Sequence, residues 1–303
     1  MEKDFLSIAN NSKTEIDEIF NLTTEIKNKL KNGEPYQPLK GKTLAMIFQK
    51  PSARTRISFE CGMFQLGGHA LYLAPADIGI GKRESVADIA RVLSRYNDIV
   101  MARLFGHEDI IELAKYATVP IINGLTDLLH PCQIMADAFT IIEHRGTVEN
   151  LSIAYIGDGN NVANSWINFA SRYPIKLNLG IPEGFDPDKE IFDNAKQSGI
   201  SEINIFRDPA EAVKGVDIIY TDVWASMGQE AEAEAREKAL KNFQINDELV
   251  KTAKSNVKVM HCLPAHRGLE ITDSVIDGPH SIVFDEAENR LHVQKAIMVK
   301  LMQ

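Results

Sequence analysis

The sequence predicts an α/β protein of two domains, each a mostly parallel sheet covered by helices on both faces. Three observations carry this. Short apolar runs alternate with stretches of helical periodicity along the whole chain, the pattern of strand–helix–strand units. At 303 residues the chain is long enough for two cores of ordinary size. A polar stretch, residues 144–150, separates a helix from a new strand near mid-chain. Domains are therefore expected at 1–146 and 147–303, with the closing helix 287–303 a candidate to pack back on the first.

The elements follow in order. Ser12 and Glu15 form a capping box ahead of a helical stripe of Ile16, Ile19, Phe20, Ile26 and Leu30. Residues 43–48 read as a buried strand, and residues 57–66 as a helix stopped by Gly67 and Gly68. A strand at 69–73 comes next, then a loop over 74–83 with Pro75, Gly79 and Gly81. Ser85 caps a helix through Tyr96, and residues 98–103 form a strand ending on Arg103. A helix at 108–116, a strand at 119–123 and a helix from His130 to about Glu143 complete the first half. The second half repeats the alternation. Strands are expected at 151–156, 176–179, 202–206, 216–220, 257–260 and 281–284. Helices are expected at 161–173, 188–198, 209–214 and 287–302. The Ala- and Glu-rich stretch 229–241 reads as a solvated helical face. No repeat period or low-complexity tract interrupts the pattern.

Composition narrows the function. Hydrophobic residues make up 44% and charged residues 25%, as in soluble globular proteins. No apolar run approaches the ~20 residues needed to span a bilayer, and the N-terminus has no export pattern. The three cysteines are too few for a disulfide framework, so a cytoplasmic, reducing location is expected. A net charge of −9 argues against a nucleic-acid partner, though not against a small anion held by a local cluster of cations.

Several segments at strand ends carry chemistry. Ser52-Ala53-Arg54-Thr55-Arg56 lies between a strand and a helix N-terminus, where free N–H groups and the helix dipole favour an anion. Arginine adds a fork that matches phosphate oxygens. Arg103 and His130-Pro131-Cys132-Gln133 lie at further strand ends, where ligands of parallel sheets sit. Gly157-Asp158-Gly159-Asn160-Asn161-Val162 opens like a dinucleotide fingerprint, but Val162 stands where a third small residue is needed. It reads instead as a tight turn with Asn161 as cap, or with the Asn161 amide holding an amino-acid headgroup. Asp222 to Gly228 offers a carboxylate for an ammonium, with Ser226 and backbone N–H groups for a carboxylate. His261-Cys262-Leu263-Pro264 lacks the paired ligand spacing of zinc sites. It leaves open a buried thiol or a nucleophilic cysteine. Arg290 is read as a cation near the start of the last helix, a place that demands an anionic or carbonyl partner.

Together these segments resemble the ornithine carbamoyltransferases of the aspartate/ornithine carbamoyltransferase superfamily. The resemblance covers essentially the whole chain: the Ser-Thr-Arg-Thr-Arg motif at 52–56, His-Pro-Cys-Gln at 130–133, Asp-x-Trp-x-Ser-Met-Gly at 222–228 and His-Cys-Leu-Pro at 261–264. It implies transfer of a carbamoyl group from carbamoyl phosphate to the δ-amine of L-ornithine, giving L-citrulline and phosphate in arginine metabolism. No metal or organic cofactor is implied. Ser52, Ala53, Arg54 and Thr55 would hold the phosphate, and Arg103 would bridge phosphate and carbonyl. His130 and Gln133, with Cys262, Leu263 and Arg290 from the second domain, would complete the carbamoyl pocket. Asn161, Asp222, Ser226 and Met227 would hold ornithine, with Cys262 and Asp222 positioning its δ-amine. The resemblance also implies a homotrimer with active sites at subunit interfaces. The chain departs from the motif in two places. Ala53 replaces a threonine, and the loop 76–84 has Gly79 where many members carry glutamine, with Lys82 as a candidate substitute. A carbamoyltransferase for another amine, a nucleotide-dependent dehydrogenase and a non-catalytic homologue are the rival readings. The complete Asp222 and His261 segments, the missing third glycine, and the retained Arg103 and Cys262 argue against each in turn.

Overall fold

The computed structural model describes residues 3–81, 83–225 and 232–303. The chain forms two compact units, Met1–Phe139 with Glu288–Gln303, and Thr140–Ala287. The division falls inside a helix, Pro131–Arg145, which ends at the start of the polar stretch 144–150.

The first unit runs α1 (Lys13–Lys31), β1 (Thr43–Phe48), α2 (Ala53–Gln65), β2 (His69–Leu73), α3 (Pro75–Ile78), α4 (Val86–Tyr96), β3 (Ile99–Arg103), α5 (His107–Tyr116), β4 (Ile121–Leu125) and into α6 (Pro131–Arg145). Its sheet has the order β2-β1-β3-β4, with every neighbouring pair parallel. The apolar runs explain the layering. β3 and β4 are buried at every residue, and β1 from Leu44 onward, whereas the edge strand β2 is half-exposed.

The second unit continues with β5 (Ser152–Ile156), α7 (Asn161–Ala170), β6 (Lys176–Gly180), α8 (Lys189–Ser198), β7 (Glu202–Phe206), α9 (Pro209–Val213), β8 (Ile218–Thr221), α10 (Ala233–Leu240), α11 (Asp247–Val250), β9 (Lys258–His261) and α12 (Asp273–Ile276). Its sheet is β7-β6-β5-β8-β9, again all parallel. The closing helix α13 (Val283–Met302) begins in this unit and ends in the first. Among the described residues no helix is long and apolar enough to cross a membrane.

Strand order places the chemistry. In both sheets the chain leaves the first strand in one direction and later returns to its other side. The C-terminal ends of β1 and β3, and of β5 and β8, therefore flank the points where the order reverses, and crevices for ligands open there.

The structure departs from the expected elements in a few places. Residues 281–284 make only one bridge, Val259 to Ser281, before turning helical at Val283. Burial of Ile282 and Val283 made this run look like a strand. Within 74–83 the short α3 forms on Pro75, whose fixed φ suits a first helical turn, and ends on Gly79 at φ 55°. α2 begins at Ala53, so Arg54, Thr55 and Arg56 belong to its first turn. Arg290 lies well inside α13, not near its start, and belongs to the first unit, not the second.

Gly159 is required by close approach. A Cβ there would lie 2.4 Å from both the Phe185 carbonyl oxygen and the Pro187 nitrogen, which are backbone atoms that cannot swing aside. Tight packing against residues 185–187 thus explains a glycine that otherwise suggests a nucleotide site. Gly159→Ala is expected to cost about 2–4 kcal/mol, measurable as a lowered denaturation midpoint with an unchanged m-value.

Candidate active site

The first unit gathers cations and donors at the ends of β1 and β3. Ser52 is the N-cap of α2; its hydroxyl accepts from Thr55 N–H at 3.3 Å and lies 3.1 Å from Thr55 Oγ1. The remaining first-turn N–H groups point out of the helix N-terminus, beside exposed Arg54. Arg103, buried at the end of β3, donates to Thr55 Oγ1 at 3.4 Å. A register slip between Ala102 and Arg103 against β4 re-aims the backbone there. Arg56, by contrast, pairs with Glu60 and covers the Tyr72 ring, so it belongs to the helix surface.

His130 and Gln133 sit at the entrance to α6, both buried. Gln133 Nε2 donates to Asp137 at 2.7 Å, and its Oε1 accepts from Arg290. Two other guanidinium nitrogens of Arg290, Nε and Nη2, are buried with no acceptor among the described residues. They are suited to a carbonyl oxygen. Burial, and then the charges of Arg290, Arg103 and Arg54, hold the His130 imidazole well below its ordinary pKa. It is a neutral hydrogen-bonding group in a cationic pocket.

That neutrality has a measurable consequence. The unfolded chain takes a proton on this histidine near pH 6.5 that the folded site refuses. The associated stability is therefore complete above about pH 6.5 and is lost as the pH falls below it. His130→Gln is expected to flatten the acid limb of unfolding free energy by up to about 1.4 kcal/mol per pH unit, checked by urea titrations between pH 5 and 7.

The second unit presents a carboxylate. Asp222 follows β8 and is 7% exposed. Its Oδ1 accepts from the Cys262 thiol at 2.8 Å and from Val223 N–H at 2.8 Å, and its Oδ2 from Asn160 Nδ2 at 2.9 Å. Cys262 follows β9. The preceding His261 is fully buried, with Nε2 3.1 Å from Glu270 and Nδ1 accepting from Leu263 N–H at 2.9 Å. This grip holds Leu263 at φ 54° before a cis bond to Pro264. Ligand atoms of Asp222, His261 and Cys262 lie within 4.8 Å of one another, but both His261 nitrogens are engaged, so the cluster reads as a hydrogen-bonded one.

Asn161 opens α7 half-buried, and the cap is its neighbour Asn160, whose Oδ1 accepts from Val162 and Ala163 N–H. The sequence reading took Asn161 as the cap and passed over Asn160, although the paired asparagines after a strand were the available signal. It also missed the buried carboxylates Glu270 and Glu286. Glu286 accepts from His261 N–H at 2.9 Å. Nothing local distinguishes these two from surface acids. Arg236, another omission, donates to Asp158 at 2.6 Å and to the Trp224 carbonyl at 3.3 Å. The expected ligands Lys82, Ser226 and Met227 lie outside the described residues.

Comparison with known proteins agrees with this division of chemistry. Residues 3–143 match the carbamoyl-P binding domain of the aspartate/ornithine carbamoyltransferases, and residues 149–301 match the Asp/Orn binding domain. The chain is 56% identical to an ornithine carbamoyltransferase of Syntrophus aciditrophicus, over 98% of this chain and 99% of that one. It is 54% identical to one of Geobacter metallireducens, over all of both chains. The solved structure of the ornithine carbamoyltransferase from Pyrococcus furiosus matches with a TM-score of 0.93 at 52% identity, covering 97% of this chain and 95% of that one. With its cation-rich site at the ends of β1 and β3 and its carboxylate at the end of β8, the chain belongs to the aspartate/ornithine carbamoyltransferase family.

Proposed function

We propose that this protein transfers the carbamoyl group of carbamoyl phosphate to the δ-amine of L-ornithine, giving L-citrulline and phosphate. The observation that carries the reading is the contrast between the two clusters. In the first unit Arg54, Arg103 and Arg290 act on a neutral His130. In the second, Asp222 is held as an acceptor by Cys262 and Asn160. The first suits a phosphorylated anion and the second an ammonium-bearing amino acid.

In the reaction the δ-amine nitrogen bonds the carbonyl carbon, and the bond from that carbon to the phosphate oxygen breaks. The surplus amine proton leaves on the phosphate. Ser52, Thr55, Arg54 and the N–H groups at Ala53 support the phosphate. Arg103, His130 and Thr55 are donors for the oxygen that gains charge in the tetrahedral intermediate, each typically worth ~3–4 kcal/mol. Arg290, Gln133 and the Leu263 carbonyl suit the carbamoyl oxygen and amide. Asn161, Asp222, Ser226 and Met227 are assigned to the ornithine headgroup and amine. Most of the acceleration comes from alignment and fixed charge.

Citrulline formation measured colorimetrically against a panel of amines tests the reading. Product with ornithine is expected; product only with another amine would refute the substrate assignment.

A homotrimer is part of the proposal. Ile57 and Phe64, seven residues apart on one side of α2 and 57% and 78% exposed, form an apolar stripe that suits a second copy of the chain. Phe64→Asp is expected to shift the mass measured by light scattering from trimer toward monomer. We also place the protein in the cytoplasm, a reading supported by three cysteines that carry no disulfide.

A further inference from the structure

We infer that Asn160 is a positioning residue for the reaction, aiming the Asp222 carboxylate at the incoming ammonium group. The inference rests on the function proposed above and adds to it a residue whose local role is to cap a helix.

The orientation of the Asn160 amide is decided by its partners. Oδ1 accepts from Val162 N–H at 2.9 Å, Ala163 N–H at 3.2 Å and the Tyr155 hydroxyl at 3.1 Å. Three donors on one atom leave no ambiguity about which end is oxygen, so Nδ2 must face Asp222, and it does so at 2.9 Å. Tyr155 is fully buried, with its hydroxyl kept protonated by burial first and by the charge of Asp222 second. The turn beneath is locked by Gly159 against the backbone of 185–187.

Asp222 is thus oriented from both sides. Oδ1 has two donors, Cys262 and Val223, which use its two lone pairs. Oδ2 has one donor among the described residues, Asn160, which leaves one lone pair for a substrate ammonium. Asn160 selects which one. Without it the carboxylate is held from the Oδ1 side alone, and neither lone pair of Oδ2 is singled out for the ammonium.

Capping and positioning make opposite demands on Asn160→Asp. A carboxylate is an equal or better cap, improving as it ionises at the helix N-terminus. Facing Asp222, however, it replaces a donor with a like charge, relieved only when one of the pair is protonated. The test compares wild type, Asn160→Asp and Asn160→Ser for citrulline formation from pH 6 to 9, with carbamoyl phosphate affinity and unfolding midpoints measured in parallel. Ser keeps a capping oxygen but is too short to reach Asp222.

The expected result for Asn160→Asp is a kcat/KM for ornithine about 30-fold or more below wild type at pH 8, with the deficit shrinking as the pH is lowered. Asn160→Ser should lose roughly 10-fold at every pH. Carbamoyl phosphate affinity should stay within about 2-fold, because its donors lie in the other unit. An Asn160→Asp enzyme within about 3-fold of wild type at pH 8, or a deficit independent of pH, would overturn the positioning role while leaving the proposed function intact. Should Asn160→Asp fail to fold, full ornithine kcat/KM in Asn160→Ser would overturn it equally. A wild type that forms no citrulline would remove both.

Discussion

Arg103→Ala is expected to lower kcat by about 10²–10³-fold and to weaken carbamoyl phosphate binding as well. The side chain leaves the end of β3 at the register slip beside β4, is buried, and reaches Thr55 in the first turn of α2. It therefore joins two groups assigned to the phosphate and the developing oxyanion. A buried guanidinium already desolvated by the fold loses little further hydration when its anion arrives, which is why its removal is costly in the transition state. Arg103→Lys keeps a charge but loses the planar fork, and should recover only part of the loss. Steady-state kinetics with carbamoyl phosphate varied provide the check. An alanine variant within about 5-fold of wild type would show that Arg54 and Arg290 suffice without it.

How much of this was legible in the sequence depends on range. β1, β3 and β5 were readable because a central parallel strand is buried on both faces and so reads as an unbroken apolar run. The capping box at Ser12 and Glu15 was readable because its partners lie three residues apart. The run at 281–284 was misread because burial alone does not distinguish a strand from the first turn of a buried helix. Arg290 was misplaced for a related reason. Where α13 starts depends on how Ile282 and Val283 pack, and that information is not local.

The site divides in the same way. Ser52, Arg54, Arg103, His130, Asp222 and Cys262 stand at strand ends, and strand ends are visible from periodicity. Their second layer was not. Glu270 and Glu286 grip His261 from 9 and 25 residues further along the chain, so no spacing rule points to either. Asn160 was hidden by its neighbour. Both asparagines are plausible caps, and only the direction of α7 makes the first one the cap and leaves the second at the first helical position. The departure at Ala53 removes a hydroxyl where the helix N-terminus itself, with Ser52, Thr55 and Arg54, already supplies donors.

The role of Cys262 separates two chemistries, and Asp222 decides between them. Asp222→Asn is expected to reduce kcat/KM for ornithine by roughly 10²–10³-fold, with carbamoyl phosphate affinity nearly unchanged. The amide would offer an N–H toward either Asn160 or Cys262, where a donor already points, and would lose the charge that attracts an ammonium. Because the thiol donates to Asp222 at 2.8 Å, the sulfur sits beside a carboxylate, which opposes negative charge on it. The pair is therefore a donor and its acceptor, not a thiolate poised for attack. Cys262→Ser, which keeps a donor at the same place, should retain activity within about 10-fold, whereas Cys262→Ala should fall further. A covalent carbamoyl–sulfur route requires the sulfur itself, so a serine variant as inactive as the alanine one would refute the donor role. Parallel kinetics on the three variants, with ornithine varied at saturating carbamoyl phosphate, distinguish the two outcomes.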